Sequence, residues 1–343
     1  MREDNTPLKV EISHKTVIFI ASFIIGLWIV AKLSNVIVLL VLSFILLSAL
    51  LKPVQWLVAK KIPRAVSVLI IYLIIIILAA LVIGIIVPPL VLQTTGFVNK
   101  LPQIISAADN YLVFHKIPVE NLSSIIAKQA NQFTGDIVQI TSKIVSSIFL
   151  IVTLLVLTFY FLLEWKSLIK LLASLFSGEQ EKKIISIFSK VEGGLGRWVR
   201  GQLLLSVIVS ILTYIGLFII GIPFALPLAL IAGIFEILPI VGPIIAAVPA
   251  ILVGLTISPV MGLATAAVFV VVQQLENHLV VPVVMSRVVG VQPPIIIIAL
   301  LIGAKLAGIT GAFLAVPIIV VIKILTKELL SEDKQLEEEL VEQ

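Results

Sequence analysis

Residues 236–250 read Glu-Ile-Leu-Pro-Ile-Val-Gly-Pro-Ile-Ile-Ala-Ala-Val-Pro-Ala, an apolar stretch that opens on a carboxylate and is interrupted by Pro239, Gly242, Pro243 and Pro249. Glu236 is the single charged residue between Arg200 and Glu276. A carboxylate in an apolar segment is costly in lipid, so it is expected to face a protein interior or a wet cavity. The Pro and Gly residues interrupt the helix and free backbone groups that hydrocarbon cannot satisfy. A lone acid beside unwound backbone is a common construction for a transport site in a membrane.

The rest of the chain supplies the membrane context. Of 343 residues, 60% are apolar and 13% charged, and the mean hydropathy is +1.23. A soluble domain carries roughly 25% charged residues. Several apolar windows reach the ~20 residues needed to cross a bilayer core. The expected fold is therefore an all-α polytopic integral membrane protein. The first apolar run, Thr16–Ala31, lies between Lys15 and Lys32 and shows no small-residue cleavage site, so it reads as a retained span. Without cysteines there are no disulfides and no thiolate chemistry. The net charge of +5 reflects loop Lys and Arg that orient the chain in a bilayer; it does not signal nucleic acid.

Apolar windows fall at about 16–33, 35–51, 65–92, 144–163, 202–222, 225–257, 259–275 and 293–325. They divide the chain into six parts: a three-span region (1–92), an extracytoplasmic amphipathic helical insert (93–143), a fourth span (144–163), cytoplasmic interfacial helices (164–201), a C-terminal transport region with broken helices (202–325) and an acidic tail (326–343). Basic residues at Lys52, Lys60, Lys61 and Arg64, and again from Lys166 to Arg200, place those segments in the cytoplasm together with both termini. Leu101, Ile104, Ile105, Ala108 and Leu112 predict a helix in the insert, and a second is expected near 122–133. Trp165 and the lysines around it predict helices lying at the lipid interface.

Two windows are too long for one crossing. Residues 225–257 would extend about 50 Å as a straight helix. The window at 293–325 contains Gly303, Lys305, Gly308, Gly311 and Pro317. Each is better read as two half-length helices around an irregular tip, giving six full spans plus two re-entrant hairpins or else eight broken spans. Gly242 leading into Ala247-Val248-Pro249 and Gly311 leading into Ala315-Val316-Pro317 suggest a matched pair.

Three polar groups accompany Glu236. Gln273, Glu276 and Asn277 share a helix face by their i, i+3, i+4 spacing, either as a polar helix end or as ligands for a polar solute. Arg287, between Ser286 and Gly290, has the charge to pair with Glu276 or cap a hairpin, and Lys305 falls at an expected tip. Glu236 itself is either a structural acid bonded to a freed carbonyl or a titrating group of the kind proton coupling requires. Arg197, Trp198, Arg200, Gly201 and Gln202 read as an interfacial anchor. No His-Glu-x-x-His pair, nucleophile elbow or phosphate loop occurs, and the three histidines are scattered. The expectation is no enzyme, no cofactor and no metal.

The run 236–250, the block Gln273-Gln-Leu-Glu-Asn277 followed by Pro282 and Gly290, the stretch Leu300–Gly308 continuing through Gly311 to Pro317, and Arg200-Gly-Gln202 together resemble the autoinducer-2 exporter family of bacterial membrane proteins, the PerM-like permeases. The likeness covers nearly the whole layout. It implies a bacterial plasma-membrane transporter without its own ATPase, associated with export of autoinducer-2 or with sodium (lithium)/proton antiport, and assembled as a homo-oligomer such as a pentamer. A passive channel or structural oligomer is the remaining alternative. Gln292-Pro-Pro294 departs from a His-Pro pair of many relatives.

Overall fold

A computed structural model describes residues 14–114, 149–239, 241–285 and 292–341. In chain order the helices are α1 (His14–Lys32), α2 (Ser34–Ala59), α3 (Arg64–Phe114) and α4 (Phe149–Ala173). There follow α5 (Glu179–Ile219), α6 (Ala225–Phe235), α7 (Val241–Ile257) and α8 (Pro259–Leu275). A π-helical turn (Glu276–Val280) then leads to α9 (Val281–Met285) and α10 (Pro293–Val341). No strand occurs among the described residues. A helix satisfies its backbone internally, which is what a chain this apolar needs in lipid. Six described helical stretches are long and apolar enough to cross a membrane. Their outer faces expose side chains such as Leu69, Leu73, Ile77 and Leu81, a surface suited to hydrocarbon.

Helix boundaries differ from the apolar windows, because hydrogen bonding continues where hydropathy changes. Only Leu33 separates α1 from α2, and bonds from Leu33 N–H to Ile29 O and from Ile37 N–H to Leu33 O carry the helical pattern through the joint. A one-residue joint bonded in this way does not reverse the chain. The two N-terminal windows are thus not an antiparallel pair. Likewise α3 runs unbroken for 51 residues, through the third window and into the insert. The second insert helix and the start of the fourth span lie outside the described residues. The described part of the fourth span extends to Ala173, and Gly178, at φ +66°, turns the chain into α5.

α5 is the axis of the bundle, touching α2, α6, α8 and α10. Glycines permit its close approaches, as small residues do at membrane helix interfaces. A Cβ on Gly196 would lie 2.4 Å from Ser48 O of α2, and one on Gly194 would lie 2.5 Å from Ile324 Cδ1 of α10. At the basic end of α5, Lys190 Nζ pairs with Glu328 Oε2 of α10 at 2.5 Å.

Two tryptophans expected at the lipid interface are in the core instead. Trp165 is buried and its indole N–H donates to Glu192 Oε2 at 2.5 Å. Trp198 is buried against Leu195, Leu314 and Val320. A buried indole needs one acceptor, and Glu192 supplies it for Trp165.

Both long C-terminal windows fold as helix–break–helix. In the first, α6 and α7 meet at a tip where a Cβ on Gly242 would fall 1.8 Å from Phe235 O. Pro239 lies in that tip, whereas Pro243 sits in the first turn of α7, where a missing N–H costs nothing. In the second, Ala307 (φ −142°) and Gly308 (φ 58°, ψ −140°) break α10 into two limbs. Gly303 and Gly311 then touch backbone to backbone: a Cβ on Gly311 would lie 1.9 Å from Gly303 O. Residues eight apart in one straight helix lie about 12 Å apart along the axis. Such contact requires a hairpin.

Candidate functional site

α5 leads away from Arg200 through an apolar run and ends at Ile219; Gly221, at φ +73°, then turns the chain back into α6. α6 returns along α5, so its C-terminal end comes to rest near Gln202. There the broken helix leaves the Glu236 carbonyl without an intrahelical donor, and Gln202 Nε2 donates to it at 2.6 Å. Both residues are buried, Glu236 to 2% exposure and Gln202 to 4%. Gln202 is therefore part of the tip's construction, not an interfacial anchor. The first tip is thus held against α5 at Gln202, just beyond Arg200.

α7 leaves this tip, and Ser258 caps α8 by accepting from Met261 N–H at 3.1 Å, with Pro259 at the first helical position. α8 then returns to the level of Glu236. Gly254 and Gly262 let α7 and α8 close on one another: a Cβ on Gly254 would lie 2.8 Å from Met261 O. At the end of α8 the backbone widens into the π-helical turn that carries Glu276. Such turns recur at functional sites because they re-aim a side chain.

The result is a carboxyl pair. The Glu236 and Glu276 carboxyls lie beside one another, close enough to share a proton. Gln273 Nε2 donates to Glu276 Oε2 at 3.2 Å and approaches Asn277 Oδ1 at 3.5 Å. Apart from Glu276, no group among the described residues offers Glu236 Oε2 a hydrogen bond. Among the described residues no group of three His, Cys, Asp or Glu gathers to hold a metal ion.

Of the residues singled out in the sequence, Glu236, Gln273, Glu276 and Gln202 come together. Asn277 is exposed and touches the pair only through Gln273. Lys305 is exposed on the first limb of α10, whose main packing partner is α5 and not the α6–α8 group. Arg287 lies outside the described residues. Pro249 and Pro317 lie inside α7 and α10, and each removes one helical N–H.

Two groups were missed. Ser206 Oγ and Thr213 Oγ1 on α5 are buried without a partner, as is Arg200 Nη1. The signal was present as polar residues at helical spacing from Gln202, but it is faint in a helix whose every face is otherwise apolar.

A polytopic helical bundle with two broken hairpins and a buried carboxyl pair beside unwound backbone has the architecture of a membrane transporter. The profile of the AI-2E family transporters matches residues 17–331, and the chain belongs to that family. Two Bacillus subtilis proteins named for an inferred transport role are similar: YueF, 30% identical over 79% of this chain and 78% of its own length, and YrrI, 30% identical over 87% of each. YhhT of Escherichia coli, named in the same way, is 23% identical over 89% of this chain and 88% of its own.

Proposed function

We propose that this transporter exports a small polar solute, autoinducer-2 being the candidate that the family name suggests, by ion-gradient-driven alternating access. The observation that carries the reading is the convergence of Glu236 and Glu276, from two different interruptions of the helical pattern, into one buried pair. Separate elements bearing the two halves of a site can part and rejoin, which alternating access needs. Gln202 and Gln273 hold the backbone and side chain of the pair. The basic ends of α2 and α5 face the cytoplasm of a bacterial cell in this proposal, and the acidic tail lies with them. A homo-oligomer, such as a pentamer, in the lipid bilayer is the working assembly.

A second reading is favoured by one specific feature. A carboxyl pair holding one proton is a site at which a monovalent cation can replace that proton, so sodium (or lithium)/proton antiport uses the same residues. Both readings require coupled flux, and a passive channel does not.

The test is uptake into proteoliposomes with an imposed proton or sodium gradient. Glu236→Gln and Glu276→Gln are each expected to lower the coupled flux at least about tenfold, the effect of losing roughly 1.4 kcal/mol of stabilisation at the limiting step. Unchanged flux and unchanged gradient dependence in both variants would reject the assignment. Sodium-dependent proton movement lost in Glu236→Gln, with no solute flux, would select antiport.

A further inference from the structure

Beyond the carboxyl pair, α5 carries a second polar feature. Gln202, Ser206, Ser210 and Thr213 stand at i, i+4, i+8 and i+11, on one face of the helix. That face is closed by α6: a Cβ on Gly233 would lie 1.8 Å from Ser210 Oγ and 2.6 Å from Ser206 O. Thr213 is fully buried there.

The hydroxyls on this face behave unlike others in the protein. Ser43, Ser48, Thr158 and Thr265 are all buried, and each bonds the carbonyl four residues back in its own helix. That is the ordinary solution for a hydroxyl in an apolar helix. Ser206 Oγ and Thr213 Oγ1 do not adopt it and have no partner among the described residues. Each such group destabilises the fold while it stays unsatisfied. Glu236 Oε2, with Glu276 as its one neighbour able to share a proton, lies at the end of the same seam. Buried polar groups left open in a row are satisfied by water or by a hydrogen-bonding ligand.

We infer that the α5–α6 seam is a water-accessible track linking the carboxyl pair to the interior of the membrane span, and that it passes neutral hydrogen-bonding solutes or monovalent cations but not anions. It rests on the reading of Glu236 and Glu276 as the solute site. From Gln202 to Thr213 the track covers about 16 Å of the roughly 27 Å spanned by residues 203–220. Its lining is hydroxyl, amide and carboxyl; from residue 201 to residue 275 the chain carries no charge but Glu236. Between Gln202 and Thr213 an anion would meet hydroxyl and carboxyl oxygens; the nearest cation, Arg200, stands before the track begins. Gly233 sets the narrowest point, since any side chain there would strike Ser210, and a shift of α6 away from α5 opens the seam along its length.

The natural absence of cysteine makes the track testable in the intact protein. Single cysteines at Ser206, Ser210 and Thr213 would be compared, in proteoliposomes, with cysteines at Leu204 and Ile211, which are 51% and 52% exposed on the outer face of α5. The probes are a cationic and an anionic methanethiosulfonate. Modification needs the thiolate, which forms in water and not in hydrocarbon, so the seam positions are expected to react at least about tenfold faster than the outer ones. The cationic reagent is expected to outpace the anionic one at the seam. Seam cysteines reacting no faster than Leu204→Cys and Ile211→Cys overturn the track, and equal rates for the two reagents overturn its charge selectivity.

Thr213→Val, which keeps the side-chain shape, provides a second readout. In a hydrated seam it lowers flux several-fold without raising the melting temperature; in a dry seam it removes an orphan hydroxyl, raises the melting temperature and leaves flux alone, which rejects the proposal. The track and the carboxyl site fail separately. Unreactive seam cysteines with flux still lost in Glu236→Gln reject the track alone. Reactive seam cysteines with flux intact in both Glu236→Gln and Glu276→Gln reject the carboxyl site.

Discussion

Gln202 shows what a single side chain does for a broken helix. The chain turns at Glu236 and leaves its carbonyl without a helical donor, and Gln202 reaches across from α5 to supply one at 2.6 Å. A buried carbonyl stripped of its donor costs about 1–3 kcal/mol. Gln202→Leu should lower the thermal unfolding midpoint in detergent by an amount corresponding to that range. It should also reduce flux, because the tip that aims Glu236 loses its tether. An unchanged midpoint would mean that the bond contributes nothing. Glu236 was legible as the one charge in a long apolar stretch, and Glu276 as part of a polar cluster. Their pairing was not, since it depends on α6 and α8 ending at the same level. Gln202 was misread because Arg197, Trp198 and Arg200 beside it form a typical interfacial pattern, and sequence alone does not reveal which of these side chains the bundle buries.

At the scale of the element, the second hairpin depends on three glycines with different duties. Gly308 adopts φ 58° and ψ −140°, a region nearly closed to residues with a Cβ. Gly303 and Gly311 are required for a different reason, the contact of one limb's backbone with the other's. In an isolated helix, Gly→Ala is stabilising by about 1 kcal/mol. Here Gly311→Ala puts a methyl 1.9 Å from Gly303 O, against backbone that cannot rotate away. The expected sign is therefore reversed: Gly311→Ala should lower the unfolding midpoint and splay the hairpin, measurable as faster proteolysis near the tip. A raised midpoint would show that the stretch is a straight helix. The run of Gly303, Gly308 and Gly311 marked this interruption in the sequence. What it left open was whether the chain folded back or merely kinked, because both need glycine and only the spatial contact separates them.

The whole molecule is organised as a frame and a group beside it. Ser48 of α2 against Gly196, Ile324 of α10 against Gly194, and Lys190 paired with Glu328 tie α2, α5 and the second limb of α10 together at the basic end. α6, α7 and α8 lie beside this frame, with α7 packed on both α6 and α8. α6 lies along α5 at the seam of Ser206, Ser210 and Gly233, and α8 meets α5 where Val268 faces Gly216. Packed interfaces change between discrete arrangements, not continuously. The set bearing Glu236 and Glu276 is thus the one expected to shift during transport, while the frame stays intact. Joining Lys190→Cys to Glu328→Cys with a short bis-maleimide in the cysteine-free background tests this division. The variant replaces one exposed ion pair, a contribution of at most about 1 kcal/mol. Cross-linked protein should keep the flux of the uncross-linked variant, since α5 and α10 already move as one body at that end. If the bridge stops flux, and cleaving a reversible version of it restores flux, then the second limb of α10 moves against α5 and the frame assigned here is part of the moving machinery.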